Sequence, residues 1–206
     1  MSSLNVLVTG ASGGLGTIVC EHLRSNGWHV RAWSQHDVDL RDCEAVGQAF
    51  AAITEPLHAV VHTVGGIVAG RPLAESTTDD FDTMVDRNLR STFHVIQHAM
   101  PLLAVTRGAI VTIGAYAALH PAPMKALYAA TKAGVHALTC AAAEEGRIHG
   151  IRANCLAPYI IDTPANREWS SPEERQSWVH PLTMAVEIER LIAPSSDVTG
   201  IVIPMP

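Results

Sequence analysis

Short apolar runs alternate along this chain with longer stretches of helical periodicity. The runs fall at Asn5–Thr9, His29–Ser34, His58–Thr63, Ala109–Gly114, Ile151–Leu156 and Ile201–Pro204. Segments such as Val6-Leu-Val8 and Ala109-Ile-Val-Thr-Ile113 are apolar nearly throughout, which predicts strands buried on both faces of a parallel sheet. Helices are expected at Gly14–Asn26, Asp42–Ile53, Thr78–Leu103, Ala126–Arg147 and Pro172–Ile192, the last broken or kinked at Pro181, where the ring removes an N–H. Strand–helix alternation of this kind predicts an α/β fold, a doubly wound parallel sheet with helices on both faces.

One segment departs from the alternation. Only about two residues separate Ser34 from the extended-looking Asp37-Val-Asp-Leu40, whereas a parallel crossover needs roughly a dozen residues or more. The helix usual at this point is missing, so the fold is shortened after its second strand. Asp37–Leu40 is expected as a loop or a very short edge strand. With no repeat, linker or low-complexity tract, residues 1–206 read as a single domain.

Composition narrows the function classes. The chain is 48% hydrophobic and 17% charged, which is enough apolar material for one substantial core. Its net charge of −6 repels phosphate backbones, so no nucleic-acid partner is expected. No run approaches the ~20 apolar residues of a membrane helix, and Met1-Ser-Ser leads directly into the first strand without a basic leader. A cytoplasmic location is therefore expected. Cys20, Cys43, Cys140 and Cys155 are widely spaced, without a Cys-x-x-Cys pair, and read as buried free thiols.

Chemistry concentrates at two places. The first strand ends in Thr9-Gly10-Ala11-Ser12-Gly13-Gly14-Leu15-Gly16, and a helix starts at once. Such a turn lets the backbone approach a pyrophosphate, and the helix N-terminus offers it unpaired N–H groups. The spacing Gly-x-x-x-Gly-x-Gly is one residue longer in its first gap than the usual dinucleotide fingerprint. About 18 residues past Gly16, where an acid would hold the ribose of NAD, stands Ser34, followed by Gln35 and His36. The absence of a carboxylate leans to NADP(H) over NAD(H), although no arginine is obvious there; Asp39 or Asp37 is expected on the adenine side.

The second place is Tyr128-Ala-Ala-Thr-Lys132. Four residues apart on a helix, the two side chains share a face. An ammonium beside a phenol, together with an oxidised nicotinamide, favours the phenolate and makes Tyr128 a usable acid near neutral pH. Lys132 is also placed to hydrogen-bond the nicotinamide ribose.

In order, these motifs resemble the short-chain dehydrogenase/reductase family over almost the whole length, and the resemblance implies a Rossmann-like fold and an NAD(P)-dependent oxidoreductase. Thr9-Gly10…Gly14-x-Gly16 is similar to that family's cofactor turn and Tyr128-x-x-x-Lys132 to its catalytic pair. Asn88 falls where the family's helix asparagine organises a proton relay. Pro158-Tyr-Ile-Ile161-Asp-Thr163 resembles the loop that contacts the cofactor, and His62-Thr-Val-Gly65 replaces the family's Asn-Asn-Ala-Gly. The resemblance also implies self-association as a dimer or tetramer.

The family's catalytic serine position, thirteen residues before the tyrosine, is Ala115. A methyl group cannot donate a hydrogen bond to a substrate carbonyl. Gly114-Ala-Tyr-Ala-Ala-Leu119 resembles instead the dihydropteridine reductase-like branch, whose substrate is an electron-poor C=N system. These readings predict hydride transfer to a C=N, quinonoid or C=O group of a small organic substrate, with Tyr128 as proton donor. The alternatives are a ketone reductase with a substitute donor, such as Tyr116, or a non-catalytic NAD(P)-binding sensor or scaffold. A substrate flap is expected at about 164–182, with Trp169 and Trp178, beside Ala115 and Tyr116, lining the pocket. His94 and His98 are four apart but lack a third ligand, so no metal site is expected.

Overall fold

The computed structural model describes residues 4–206. Six strands form one parallel sheet: β1 (Asn5–Thr9), β2 (His29–Trp33), β3 (Ala59–His62), β4 (Ala109–Ile113), β5 (Arg152–Pro158) and β6 (Val202–Met205). Their order across the sheet is β2-β1-β3-β4-β5-β6. Every strand expected from the apolar runs forms, with ends shifted by a residue or two. Helices α1 (Gly14–Ser25) and α8 (Pro181–Ile192) cover one face; α2 (Cys43–Ala51), α4 (Ser91–Thr106) and α6 (Ala126–Gly146) cover the other.

Strand alternation distributes the core between these two layers. Val6 and Val8 pack toward α1 and α8, while Leu7 between them packs toward α2, α4 and α6. Ala59 and Val61 oppose Val60 in the same way. Both faces are thus apolar, as a sheet covered on both sides requires.

After β2 the chain curls instead of crossing over. The Asp37 carboxylate accepts hydrogen bonds from Ser34 N–H and Oγ–H, both at 2.7 Å, and Ser34 C=O accepts from Asp37 N–H. Val38 and Leu40 are buried, but no strand forms between residues 34 and 42, which leaves β2 on the sheet edge.

Two expected helices are corrected. The span Thr78–Leu103 is α3 (Thr78–Met84) and α4 joined by a widened π-type turn, Val85–Arg90, that contains Asn88. Pro172–Ile192 is not one helix. Trp178 is extended, Val179 bridges Ile161, and Pro181 opens α8 with the His180 side chain as its cap. A proline lacks only an N–H that the first helical turn leaves unpaired anyway, so Pro181 starts the helix and does not kink it. The single turns α5 (Tyr116–Leu119) and α7 (Pro164–Arg167) were not signalled by periodicity. Cys43 also departs from expectation, standing exposed at the start of α2, while Cys20 and Cys155 are buried. Among the described residues no helix is long and apolar enough to cross a membrane.

Candidate active site

The carboxyl ends of β1, β3, β4 and β5 converge beneath two adjoining cavities, where an open α/β sheet binds ligands. One, of about 580 Å³, lies over the end of β2 and is bordered by Gly10, Ser34, Asp39 and Arg41. The other, about 640 Å³, lies over β4 and β5 and is bordered by Leu15, Tyr116, Tyr128, Lys132, Pro158 and Thr163. Gly65 borders both.

Between them runs the glycine turn. Gly10 has φ +76°, the left-handed region that favours glycine, and a Cβ there would stand 2.7 Å from Thr63 Oγ1. A Cβ on Gly16 would approach the Gly10 carbonyl oxygen to 2.1 Å, so helix and strand can pack this closely only without a side chain. The Gly13 cap brings no side-chain acceptor to α1, no acid occupies its first turn, and Ser12, Gly13 and Gly14 are exposed. The first N–H groups of a twelve-residue helix thus open onto the groove, and Thr163 stands over Gly14. These residues fit a dinucleotide, whose pyrophosphate such a terminus attracts. Thr9 does not face the groove: it is buried, with Oγ1 2.8 Å from His62 Nδ1.

Tyr128 and Lys132 both reach the larger cavity from α6. Lys132 is buried, and its Nζ donates to the Ile113 carbonyl at the end of β4, 2.7 Å away. Burial brings this ammonium down to about 8. The Tyr128 hydroxyl makes no hydrogen bond with any described residue, and burial pushes the phenol up to about 12. The expected lowering of the tyrosine by Lys132 is therefore corrected. Desolvation of the phenolate dominates, and the ammonium is directed at a backbone carbonyl.

Asn88 is fully buried and clasps the loop after β3. Its Oδ1 accepts from Gly66 N–H at 2.9 Å, and its Nδ2 donates to the Gly66 carbonyl at 3.0 Å and to Thr131 Oγ1 at 3.1 Å. His62, in place of the asparagine the resemblance anticipates, lies between Thr9 and Ser91, and burial, with the nearby Lys132 charge, lowers it to about 3.

The remaining pocket candidates divide. Tyr116 and Trp169 line the larger cavity; Ala115 and Trp178 do not. Ala115 is 2% exposed, and its N–H donates to His136 Nε2 at 3.3 Å. Trp178 reaches the site only through Trp169, ring centroids 5.4 Å apart. Sequence reasoning missed Arg41 and Arg87 beside the smaller cavity, and Lys125, His120 and Tyr159 beside the larger. Arg41 holds Asp39 in a two-pronged ion pair at 2.9 and 2.8 Å, and its hydrogen bonds hold that carboxyl at about 2.

Comparison with known proteins agrees with this geometry. A family model described as enoyl-(acyl carrier protein) reductase matches residues 6–193. An uncharacterized oxidoreductase of Staphylococcus epidermidis is 29% identical over 179 residues, covering 77% of this chain and 78% of its own. A tropinone reductase homolog of Arabidopsis thaliana is 30% identical over 203 residues, covering 84% and 76%. Among solved structures, ElxO with NADP bound superposes with a TM-score of 0.92 at 26% identity, covering 99% of this chain and 97% of that one. The 3-ketoacyl-(acyl-carrier-protein) reductase of Brucella melitensis, complexed with NADH, shares the fold at a TM-score of 0.90 and 21% identity, over 98% and 96%. A cofactor turn, a tyrosine–lysine helix and a six-stranded parallel sheet in this order, matched along nearly the whole chain, make it a member of the short-chain dehydrogenase/reductase family, an oxidoreductase that binds a nicotinamide cofactor.

Proposed function

We propose that this enzyme reduces an electron-poor C=N, quinonoid or C=O group of a small organic molecule, with Tyr128 supplying the proton. The bound nicotinamide cofactor supplies the hydride. The observation that carries this reading is the Tyr128 hydroxyl: it borders the larger cavity, has no hydrogen-bond partner among the described residues, and at neutral pH keeps its proton. A phenol so placed is an acid awaiting an acceptor. Lys132, one helical turn away, is the ammonium that would hold the cofactor's ribose at the base of the same cavity. Asn88 acts as a positioning residue, since its grip on Gly66 shapes the loop that borders both cavities.

Nothing at position 115 replaces the serine hydroxyl, and the Ala115 N–H is engaged by His136. This supports a substrate that takes hydride without a second donor, as the dihydropteridine reductase-like branch does. Tyr116 favours the ketone reading to the extent that its ring borders the cavity beside Ala115. Asn166 and Trp169 also border that cavity, which supports a substrate flap over 164–182.

For the cofactor, the reading is NADP(H). The Asp37 carboxylate is folded onto Ser34, Asp39 is held by Arg41 and Asp86 by Arg90, so each acid near the smaller cavity is engaged, while Arg87, which holds no carboxylate, supplies positive charge. The NADP-bound ElxO structure supports the same choice. Self-association is part of the proposal, supported by exposed Phe93 on α4.

The test is NADPH oxidation, followed at 340 nm, with quinonoid dihydropterin, a quinone, a cyclic imine and simple ketones. Turnover is expected with the first three. Absence of turnover across the panel in protein shown to bind NADPH would overturn the reading.

A further inference from the structure

We infer that the substrate carries a carboxylate, and that Lys125 recognises it at the wall of the larger cavity. The inference rests on the reading of that cavity as the substrate chamber. The chain has only two lysines, Lys125 and Lys132, and both border this one cavity. Lys132 is buried and directed at the Ile113 carbonyl. Lys125 is half-buried, and its side chain makes no hydrogen bond or ion pair with any described residue.

Lys125 shares this with Arg24, Arg87 and Arg107, none of which borders the larger cavity. Arg31, Arg41, Arg71, Arg90, Arg147, Arg167 and Arg190 each hold a carboxylate. A protein with 20 acidic side chains and a net charge of −6 has ample acid to neutralise one more cation, yet among the described residues no aspartate or glutamate borders the larger cavity. Its titratable walls are Tyr116, His120, Lys125, Tyr128, Lys132 and Tyr159. A negatively charged substrate meets the repulsion of the whole protein at long range but only neutral or positive groups inside.

The shape of the site identifies the rest of the ligand. Tyr116 stacks on His120 with centroids 4.4 Å apart and stands edge-on to Tyr159 at 6.1 Å. With Trp169 these rings form flat apolar walls suited to a planar body. A single free ammonium matches one monoanionic group. A phosphate, which takes several donors or a forked arginine, finds no such set here. Lys125 stands three residues before Tyr128, at the cap of α6, so a carboxylate bound there would hold the planar body on the same wall as the proton donor.

The probes are 2-naphthoate and its neutral isostere 2-naphthamide, titrated calorimetrically into NADPH-saturated protein, with reduced cofactor chosen so that its uncharged ring does not itself attract the anion. Wild-type protein is expected to bind naphthoate about tenfold tighter than naphthamide, as a charge-assisted hydrogen bond in a partly buried site would give. Lys125→Gln should abolish that preference and Lys125→Arg should retain it. Equal affinities in the wild type, a preference that survives Lys125→Gln, or failure of naphthoate to bind at millimolar concentration would each overturn the inference. NADPH binding by each variant and reduction of an uncharged quinone by the wild type are scored separately. Failure of the proposed reduction is thereby distinguishable from failure of carboxylate recognition.

Discussion

The Lys132 ammonium and the Ile113 carbonyl meet at 2.7 Å where β4 ends, so the last carbonyl of a central strand pins α6 at the base of the larger cavity. That bond holds a positive charge in a buried position. Burial opposes that charge and lowers the ammonium to about 8.

Lys132 therefore links stability to pH. Its ordinary value is 10.5, and in the folded protein it is about 8. Between these values the unfolded chain binds more protons than the folded one, so stability rises with pH across that window. The Lys132→Met variant lacks the effect. The stability of wild type minus that of Lys132→Met should grow by about 3 kcal/mol from pH 8 to pH 10.5 in denaturant titrations. A flat difference would mean that the ammonium is solvated.

His62 gives the opposite end of the pH scale. Burial holds it neutral in the fold down to about 3, whereas an unfolded histidine takes a proton below 6.5. Its contribution is complete above 6.5 and is lost as pH falls toward 3. Relative to His62→Asn, the wild type should lose on the order of 4 kcal/mol of stability over that range. Parallel acid unfolding curves would contradict this.

Arg41 should decide cofactor choice. Arg41→Ala removes a cation from the smaller cavity and frees the Asp39 carboxylate. The dissociation constant for NADPH is expected to rise about tenfold with that for NADH nearly unchanged, as read by nicotinamide fluorescence. Equal losses for both cofactors would assign Arg41 a structural role.

Ala115 tests the substrate class. Because its side chain is covered and its N–H faces His136, Ala115→Ser should change turnover of a quinonoid substrate by less than about threefold. A rise in ketone reduction of about tenfold or more would favour the ketone reading instead.

Much of the fold was legible because it rests on local, repeating signals. Six apolar runs separated by helical periodicity leave few arrangements other than a two-sided parallel sheet, and the shortened loop after Ser34 follows from chain length alone. The errors arose where a local rule has two readings. Proline ends or opens a helix according to its position, and Pro181 opens one. The π-type turn at Asn88 slips the 3.6-residue pattern by one residue, about 100°, and in so short a stretch that slip reads as an ordinary irregularity of a single helix. Glycine spacing and the Tyr128/Lys132 pair located the groove. Arg41, Lys125 and Tyr159 escaped because loops deliver them to the cavities, and no periodicity governs where a loop side chain arrives. The tyrosine was misjudged for a different reason. Charge spacing is visible in sequence, whereas burial, which outweighs it here, is not.

The most direct measurement compares Tyr128→Phe with wild type in single-turnover oxidation of NADPH by an accepted substrate, with NADPH affinity determined on the same samples. Loss of a positioned general acid predicts a rate lowered about 10²–10⁴-fold with cofactor affinity within roughly threefold of wild type. A rate within tenfold of wild type, at unchanged affinity, would show that the proton comes from elsewhere.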